Sequence, residues 1–274
     1  EKLSEVQEKA LTEINEGFRE GKNVLLHGVT SSGKTHLYLE KIEETIANGK
    51  NVLFLLPEIA LTKQIIQRLE KKYGKLLDIK QKKHTDFERV KKKKKIKNND
   101  LKILIGTRNS LFLPFQNLGF IIVDEEHEPT FKQVDPAPRY HARDAAIVLA
   151  YSHKAKVLLG SATPSIETYF NAKSDKFGLV EISKRFGNVM MPNIELVDLK
   201  DKYFRKKMTG HFSDVLIEEI TNALSLGEQV ILFQNRRGYS PIIECITCGH
   251  VPQCQQCDVS LTYHKHKNQL RCHY

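Results

Sequence analysis

The chain has 274 residues, 40% hydrophobic and 28% charged, an ordinary globular composition with room for one large or two ordinary domains. No apolar run approaches a membrane span, and the first residues lack the apolar core of a secretory leader. The net charge of +10 is a weak pointer to nucleic acid, because Arg89-Val-Lys-Lys-Lys-Lys-Lys-Ile-Lys97 alone holds seven positive residues and the remainder sums to only +3. That run is either a phosphate-tracking patch or a solvated helix face with Val90 and Ile96 to bury.

Leu3, Val6, Ala10, Leu11, Ile14 and Phe18 trace a helical stripe, with Ser4 as N-cap and Gly17 and Gly21 closing the helix. On this helix Gln7 either reads an adenine edge, offering both donor and acceptor, or is an exposed helix residue. A buried strand over 23–27 runs into Gly28-Val29-Thr30-Ser31-Ser32-Gly33-Lys34-Thr35, which fits the phosphate-loop pattern G-x-x-x-x-G-K-[ST], and a helix over 35–48 follows. In that context Gly28 and Gly33 let successive N–H groups wrap the phosphates of ATP, Lys34 reaches the β- and γ-phosphates, and Thr35 offers its hydroxyl to Mg²⁺.

Strands are expected over 51–56, 101–105, 120–123 and 156–159, with helices over 60–73 and 141–151. This alternation argues for an α/β fold with a parallel sheet covered on both faces, and for ligands beyond the strand C-terminal ends. The strand over 120–123 feeds Asp124 and Glu125. Beside a phosphate loop, Asp124 holds Mg²⁺, usually through water, and Glu125 orients and deprotonates the attacking water. Lys34, Asp124 and Glu125 are therefore the expected catalytic set for ATP hydrolysis.

Over 186–210 the pattern weakens into a charged, aperiodic linker. A helix over 213–225 and a strand over 229–234 restart the α/β rhythm, as in the opening of a second lobe. The expected division is thus 1–185, 186–210, 211–244 and 245–274. All five cysteines, Cys245, Cys248, Cys254, Cys257 and Cys272, lie in the last stretch, mostly as C-x-x-C pairs. Tetrahedral Zn²⁺ and a reducing compartment suit them better than disulfides. Five thiolates leave a remainder beyond one closed site, and His250, His264, His266 and His273 are alternative ligands.

The loops Pro57-Glu-Ile-Ala-Leu-Thr62, Gly106-Thr107-Arg108-Asn-Ser-Leu-Phe112, Asp124-Glu-Glu-His127 and Gly160-Ser-Ala-Thr-Pro-Ser165, in that order, resemble superfamily 2 helicases with a D-E-x-H second motif. Tyr140-His-Ala-Arg-Asp144, and Asn235-Arg-Arg-Gly-Tyr-Ser-Pro241 followed by paired cysteines, make the chain similar throughout to the bacterial primosomal replication-restart helicases. The resemblance implies a RecA-like P-loop NTPase lobe with a parallel sheet, the start of a second RecA-like lobe and a partial cysteine-rich zinc module. It implies that Thr62, Thr107 and Arg108 contact single-stranded DNA, although an internal salt bridge is the other reading of Arg108. It places Phe131, Lys132, Tyr140 and Arg143 in an aromatic-rich loop that couples DNA binding to hydrolysis, with packing the other reading of Phe131 and Tyr140.

His127, Ser161 and Thr163 would link the ATP site to the DNA side. By resemblance, Cys254, Cys257 and Cys272 belong to one of two zinc sites, and Cys245 and Cys248 to the other. Set against that family, the sequence is expected to be truncated inside both zinc sites and to lack most of its second lobe. It would then bind nucleotide, hydrolyse it feebly and unwind nothing alone. The resemblance further implies single-stranded and forked DNA, single-stranded DNA-binding protein and primosome or replicative-helicase-loading proteins as partners, no membrane, and a cytoplasmic, nucleoid-associated bacterial setting. A zinc-bearing fork-binding scaffold with a secondary ATPase, or another superfamily 2 translocase, is the rival reading.

Overall fold

The computed structural model describes residues 3–57, 63–79, 94–98, 100–185, 192–233, 242–255 and 260–272. The chain divides into two compact units, Glu1–Pro192 and Asn193–Tyr274.

Among the described residues the first unit is built on seven parallel strands: β1 (Val24–Gly28), β2 (Asn51–Leu55), β3 (Leu77–Ile79), β4 (Ile103–Gly106), β5 (Leu118–Asp124), β6 (Lys156–Ser161) and β7 (Gly178–Ile182). Their order across the sheet is β3-β4-β2-β5-β6-β1-β7. Helices among the described residues that flank it are α1 (Glu5–Arg19), α2 (Lys34–Ala47), α3 (Lys63–Tyr73), α4 (Ala142–His153) and α5 (Ile166–Lys173). Strand residues alternate between two cores, as a period of two requires. Val24, Leu26, Val52, Phe54, Phe120 and Ile122 face α1, α2 and α3, whereas Leu25, Leu53, Ile121, Val123, Val157 and Leu159 face α4 and α5. Burial on both faces explains why β2 and β5 read as near-continuous apolar runs.

Ser4 caps α1 and shares a capping box with Gln7. Gly17, however, does not close the helix. A Cβ there would stand 2.8 Å from Val24 Cγ2, so glycine is needed for close approach of α1 to the sheet, and the helix ends beyond it at Gly21, φ 74°. The short β3, the strand β7 and the eight-residue α5 are findings beyond the elements expected from the pattern. Residues 58–62 lie outside the described residues, as does most of the basic run. In its described part Lys94, Lys95 and Lys97 are exposed and Ile96 is buried.

The second unit holds α6 (Leu199–Phe204), capped by Asp198, and a hairpin of β8 (Met208–Thr209) and β9 (Phe212–Ser213). It continues with α7 (Asp214–Ser225) and a second hairpin of β10 (Thr262–His264) and β11 (Gln269–Arg271). The stretch read as linker thus carries α6 and β8, tied to α7 by Lys202 Nζ and Asp214 Oδ1 at 2.7 Å. The strand expected over 229–234 is not formed over its described residues 229–233. Ile231 and Phe233 stay 92% and 84% exposed, because no described strand pairs with their backbone.

Candidate active site

The phosphate loop leaves the C-terminal end of β1 and enters α2, whose N-cap is Gly33 at φ 86° with no side-chain cap. The first N–H groups of α2 therefore remain available to an anion, with the helix dipole behind them. A Cβ at Gly28 would stand 2.6 Å from Ser32 Oγ, and one at Gly33 would overlap Gln7 Nε2, so both glycines keep the cradle tight. Ser32 Oγ is buried and has no hydrogen-bond partner among the described residues. Lys34 Nζ donates to Gly28 O at 2.6 Å; burial pushes its ammonium pKa down, while Glu125 and Asp124 act against that. An uncapped helix end, an unmatched hydroxyl and a desolvated ammonium facing two acids fit a magnesium nucleotide.

Gln7 is 1% exposed rather than a surface helix residue. Its Oε1 accepts from Ser4 N at 2.9 Å, and its Nε2 donates to Gly33 O at 3.4 Å and lies 3.2 Å from His36 Nδ1. It therefore braces the phosphate loop from α1.

Asp124 ends β5 and pairs in register with Gly160 of β6. Burial lifts its carboxyl to about 6, Glu125 pushes the same way, and a hydrogen bond from Tyr38 together with Lys34 pulls it down. Tyr38 Oη donates to Asp124 Oδ1 at 2.8 Å. Glu125 holds a left-handed backbone, φ 51°, at the turn that re-aims the chain beyond the strand. His127 Nδ1 lies 2.7 Å from Ser161 Oγ and 3.6 Å from Glu125 Oε2, and His127 Nε2 lies 3.4 Å from Thr163 Oγ1. His127, Ser161 and Thr163 are thus in one hydrogen-bonded group.

Glu126 between them was not singled out by its pattern, and it is fully buried. Its Oε1 accepts from Ser165 N at 2.7 Å, and its Oε2 accepts from Arg143 Nη1 at 3.1 Å and Thr168 Oγ1 at 2.9 Å. Ser165 N-caps α5, and Arg143 also bonds Asp144 at 2.8 Å. Burial works against the Arg143 charge, while Asp144 and Glu126 outweigh it and raise its pKa. Arg143, expected on DNA, is therefore held by the buried Glu126 and by the exposed Asp144. Phe131, expected on a base, is 1% exposed in the core against α4, with no face left to stack.

The remaining loop residues stay near the surface. Arg108 Nη1 donates to Thr130 O at 2.8 Å, joining the turn after β4 to the aromatic-rich loop. Tyr140 packs edge-on against Phe112 at 5.0 Å and donates to Asn109 Oδ1 at 3.1 Å. Lys132 Nζ donates to Arg139 O at 3.0 Å, which closes the 132–141 excursion together with the Lys132–His141 bridge. Thr107 occupies the N-cap position of the turn after β4, with no side-chain cap hydrogen bond. Thr62 lies outside the described residues.

In the second unit Cys245 and Cys248 are exposed on a tight turn in which Gly249 N donates to Cys245 O at 2.8 Å with Gly249 at φ 71°. Backbone N–H groups of Cys248 and Thr247 directed at the Cys245 sulfur lower its thiol pKa. That turn suits a thiolate ligand of Zn²⁺. No group of three or more His, Cys, Asp or Glu side chains able to hold a metal is assembled among the described residues, and Cys257 lies outside them. Nor is any described helix long and apolar enough to cross a membrane.

The family model described as DEAD/DEAH box helicase matches residues 4–171, and that of the PriA DNA helicase Cys-rich region (CRR) domain matches residues 254–274. The first match implies ATP and Mg²⁺, the second Zn²⁺. Replication restart protein PriA of Bacillus subtilis (strain 168) is 40% identical over 274 residues, covering 99% of this chain and 34% of that protein. PriA of Rickettsia prowazekii is 43% identical over 273 residues, covering 100% and 41%, and PriA of Haemophilus influenzae is 44% identical over 258 residues, covering 94% and 35%. The chain therefore spans about a third to two fifths of the length of these curated relatives. Among solved structures, the helicase domain of Pyrococcus furiosus Hef aligns with 67% of this chain and 38% of that one, at TM-score 0.46 and 18% identity, too remote a likeness to add to the argument.

Proposed function

The chain belongs to the DEAD/DEAH box helicase family, and from that premise we propose that it is the ATPase core of a 3′-to-5′ DNA helicase that acts at stalled replication forks to restart replication and assemble the primosome. The observation that carries the enzymatic part is the meeting of Lys34, Asp124 and Glu125 around the uncapped N-terminus of α2. The replication-restart part rests on similarity to PriA over nearly the whole chain.

The backbone from Gly28 to Thr35 would hold the phosphates, with Lys34 exchanging the Gly28 carbonyl for a phosphate oxygen. Thr35 and Asp124 would hold Mg²⁺, which when bound neutralises charge on the transferring phosphoryl group. Glu125 takes the proton of the attacking water. His127, bonded across to Ser161 and Thr163, passes the state of this end of the sheet to the neighbouring loop.

Thr62, Thr107, Arg108, Lys132 and Tyr140 remain proposed contacts to single-stranded and forked DNA, whereas Phe131 and Arg143 hold the loop in place. Residues 1–185 are read as helicase lobe 1 and 211–244 as the beginning of lobe 2. The five cysteines are read as contributing to two zinc sites. Single-stranded DNA-binding protein and helicase-loading proteins are the proposed partners, in a cytoplasmic, nucleoid-associated setting.

The test compares nucleotide binding and ATP turnover, with and without single-stranded DNA, in the wild type, Lys34→Ala and Glu125→Gln. Lys34→Ala should lose nucleotide affinity, and Glu125→Gln should bind nucleotide while turnover falls by about 10²–10⁴. A wild type that binds no magnesium nucleotide, or responds to RNA and not to DNA, would overturn the reading. Fork restart that persists in a Lys34→Ala strain would favour the scaffold.

A further inference from the structure

We infer that Tyr38 is a positioning residue for Asp124, and that Gly160 is glycine to leave room for the Tyr38 hydroxyl. The inference rests on the ATP-site reading above and assigns a residue that the phosphate-loop and D-E-x-H patterns do not contain.

Tyr38 lies on α2, three residues after Thr35. It is 1% exposed, with its ring edge-on to Phe54 at 5.6 Å. A tyrosine used only for packing would still have to place its hydroxyl, because a buried hydroxyl without a partner is costly. Here the partner is Asp124 Oδ1, at 2.8 Å. The contact is enforced from the third side. Gly160 is the register partner of Asp124, and a Cβ on it would overlap the Tyr38 hydroxyl and stand 2.9 Å from Cζ. Thus α2, β5 and β6 meet at one hydroxyl.

Two consequences follow. With Oδ1 held by Tyr38, the rotation of the carboxylate is fixed and its second oxygen is the one left for the metal shell. In addition, one helix then carries both Thr35, which offers the metal a hydroxyl, and the group that orients the opposing acid. The spacing between the two is set inside α2 rather than by loops.

The test uses the whole chain with Tyr38→Phe, which removes the hydroxyl and keeps the buried ring. Three readouts are needed: nucleotide affinity in EDTA, Mn²⁺ affinity of the nucleotide complex by electron paramagnetic resonance, and the Mg²⁺ concentration for half-maximal turnover. The expected result is unchanged metal-free nucleotide affinity, with Mn²⁺ dissociation constant and Mg²⁺ half-saturation each raised about tenfold. Unchanged Mn²⁺ affinity would overturn the inference. If Tyr38→Phe lowers stability, Gly160→Ala supplies a second arm. It should weaken Mn²⁺ binding more in the wild-type background, where its Cβ meets the hydroxyl, than in the Tyr38→Phe background, where only the ring contact at Cζ is left, whereas equal effects in the two backgrounds would refute a shared hydroxyl. A wild type without magnesium-nucleotide binding would refute the ATP-site reading itself, whereas failure of Tyr38 alone leaves that reading standing.

Discussion

At Asp124, burial raises the carboxyl from 3.8 to about 6 despite the Tyr38 hydrogen bond and Lys34. Between those values the folded chain keeps a proton that the unfolded chain has released, so stability falls as pH rises through this window. The loss is complete above about 6. A two-unit shift corresponds to about 3 kcal/mol at most, reduced because solvent still reaches the strand end. Asp124→Asn keeps an acceptor for Tyr38 and removes the charge. Without metal or nucleotide it should therefore stabilise the chain by about 1–3 kcal/mol at pH 8 and by almost nothing at pH 4. Thermal unfolding at the two pH values checks this, and an equal effect at both would contradict it. Lys34, Asp124 and Glu125 were legible in the sequence because their chemistry demands those residue types at those places. Tyr38 and Gly160 were not, because they meet Asp124 only through helix placement and strand register.

Among the elements, the D-E-x-H turn is joined to α4 and α5 through the fully buried Glu126. Removing one member of a buried pair strands the other charge, so Glu126→Ala should cost about 3–5 kcal/mol. Arg143→Ala should cost at least as much, since it leaves the fully buried Glu126 carboxylate without its cation, whereas Glu126→Ala leaves the guanidinium on the exposed Asp144. The double variant should cost less than the sum, because neither charge is then left alone. Urea unfolding of the two single variants and the double variant measures this, and additive losses would show that the two side chains do not act as a pair. The pattern placed β1, β2, β4, β5 and β6 because strands buried on both faces are apolar throughout. It missed β3 because three residues show no periodicity. It assigned Arg143 to DNA because a cation in an aromatic-rich loop reads as exposed, and only the fold reveals the carboxylate beneath it.

Across the whole molecule, every buried apolar side chain among the described residues lies between Ala10 and Ile182, within the first unit. Among the described residues, the second unit leaves Leu196, Ile231, Phe233 and Ile246 exposed and, apart from the twelve-residue α7, has only short elements. Caps at Asp198 and Ser213 and the Lys202–Asp214 pair order it locally, but such contacts are worth about 1 kcal/mol each or less. A metal held by thiolates contributes far more to so small a module, and its removal unfolds modules of this kind. Stripping Zn²⁺ with a thiol-competitive chelator should therefore raise hydrogen exchange over 242–272 and make Cys245 and Cys248 more reactive to thiol reagents. The first unit has its own two-sided core, so the same treatment should leave exchange in β1, β5 and β6, and nucleotide affinity, nearly unchanged. Exchange mass spectrometry with and without chelator separates the outcomes. Protection lost across both units would mean that the metal module stabilises the ATP-binding unit, and no change in either would mean that the cysteine turn is held without metal.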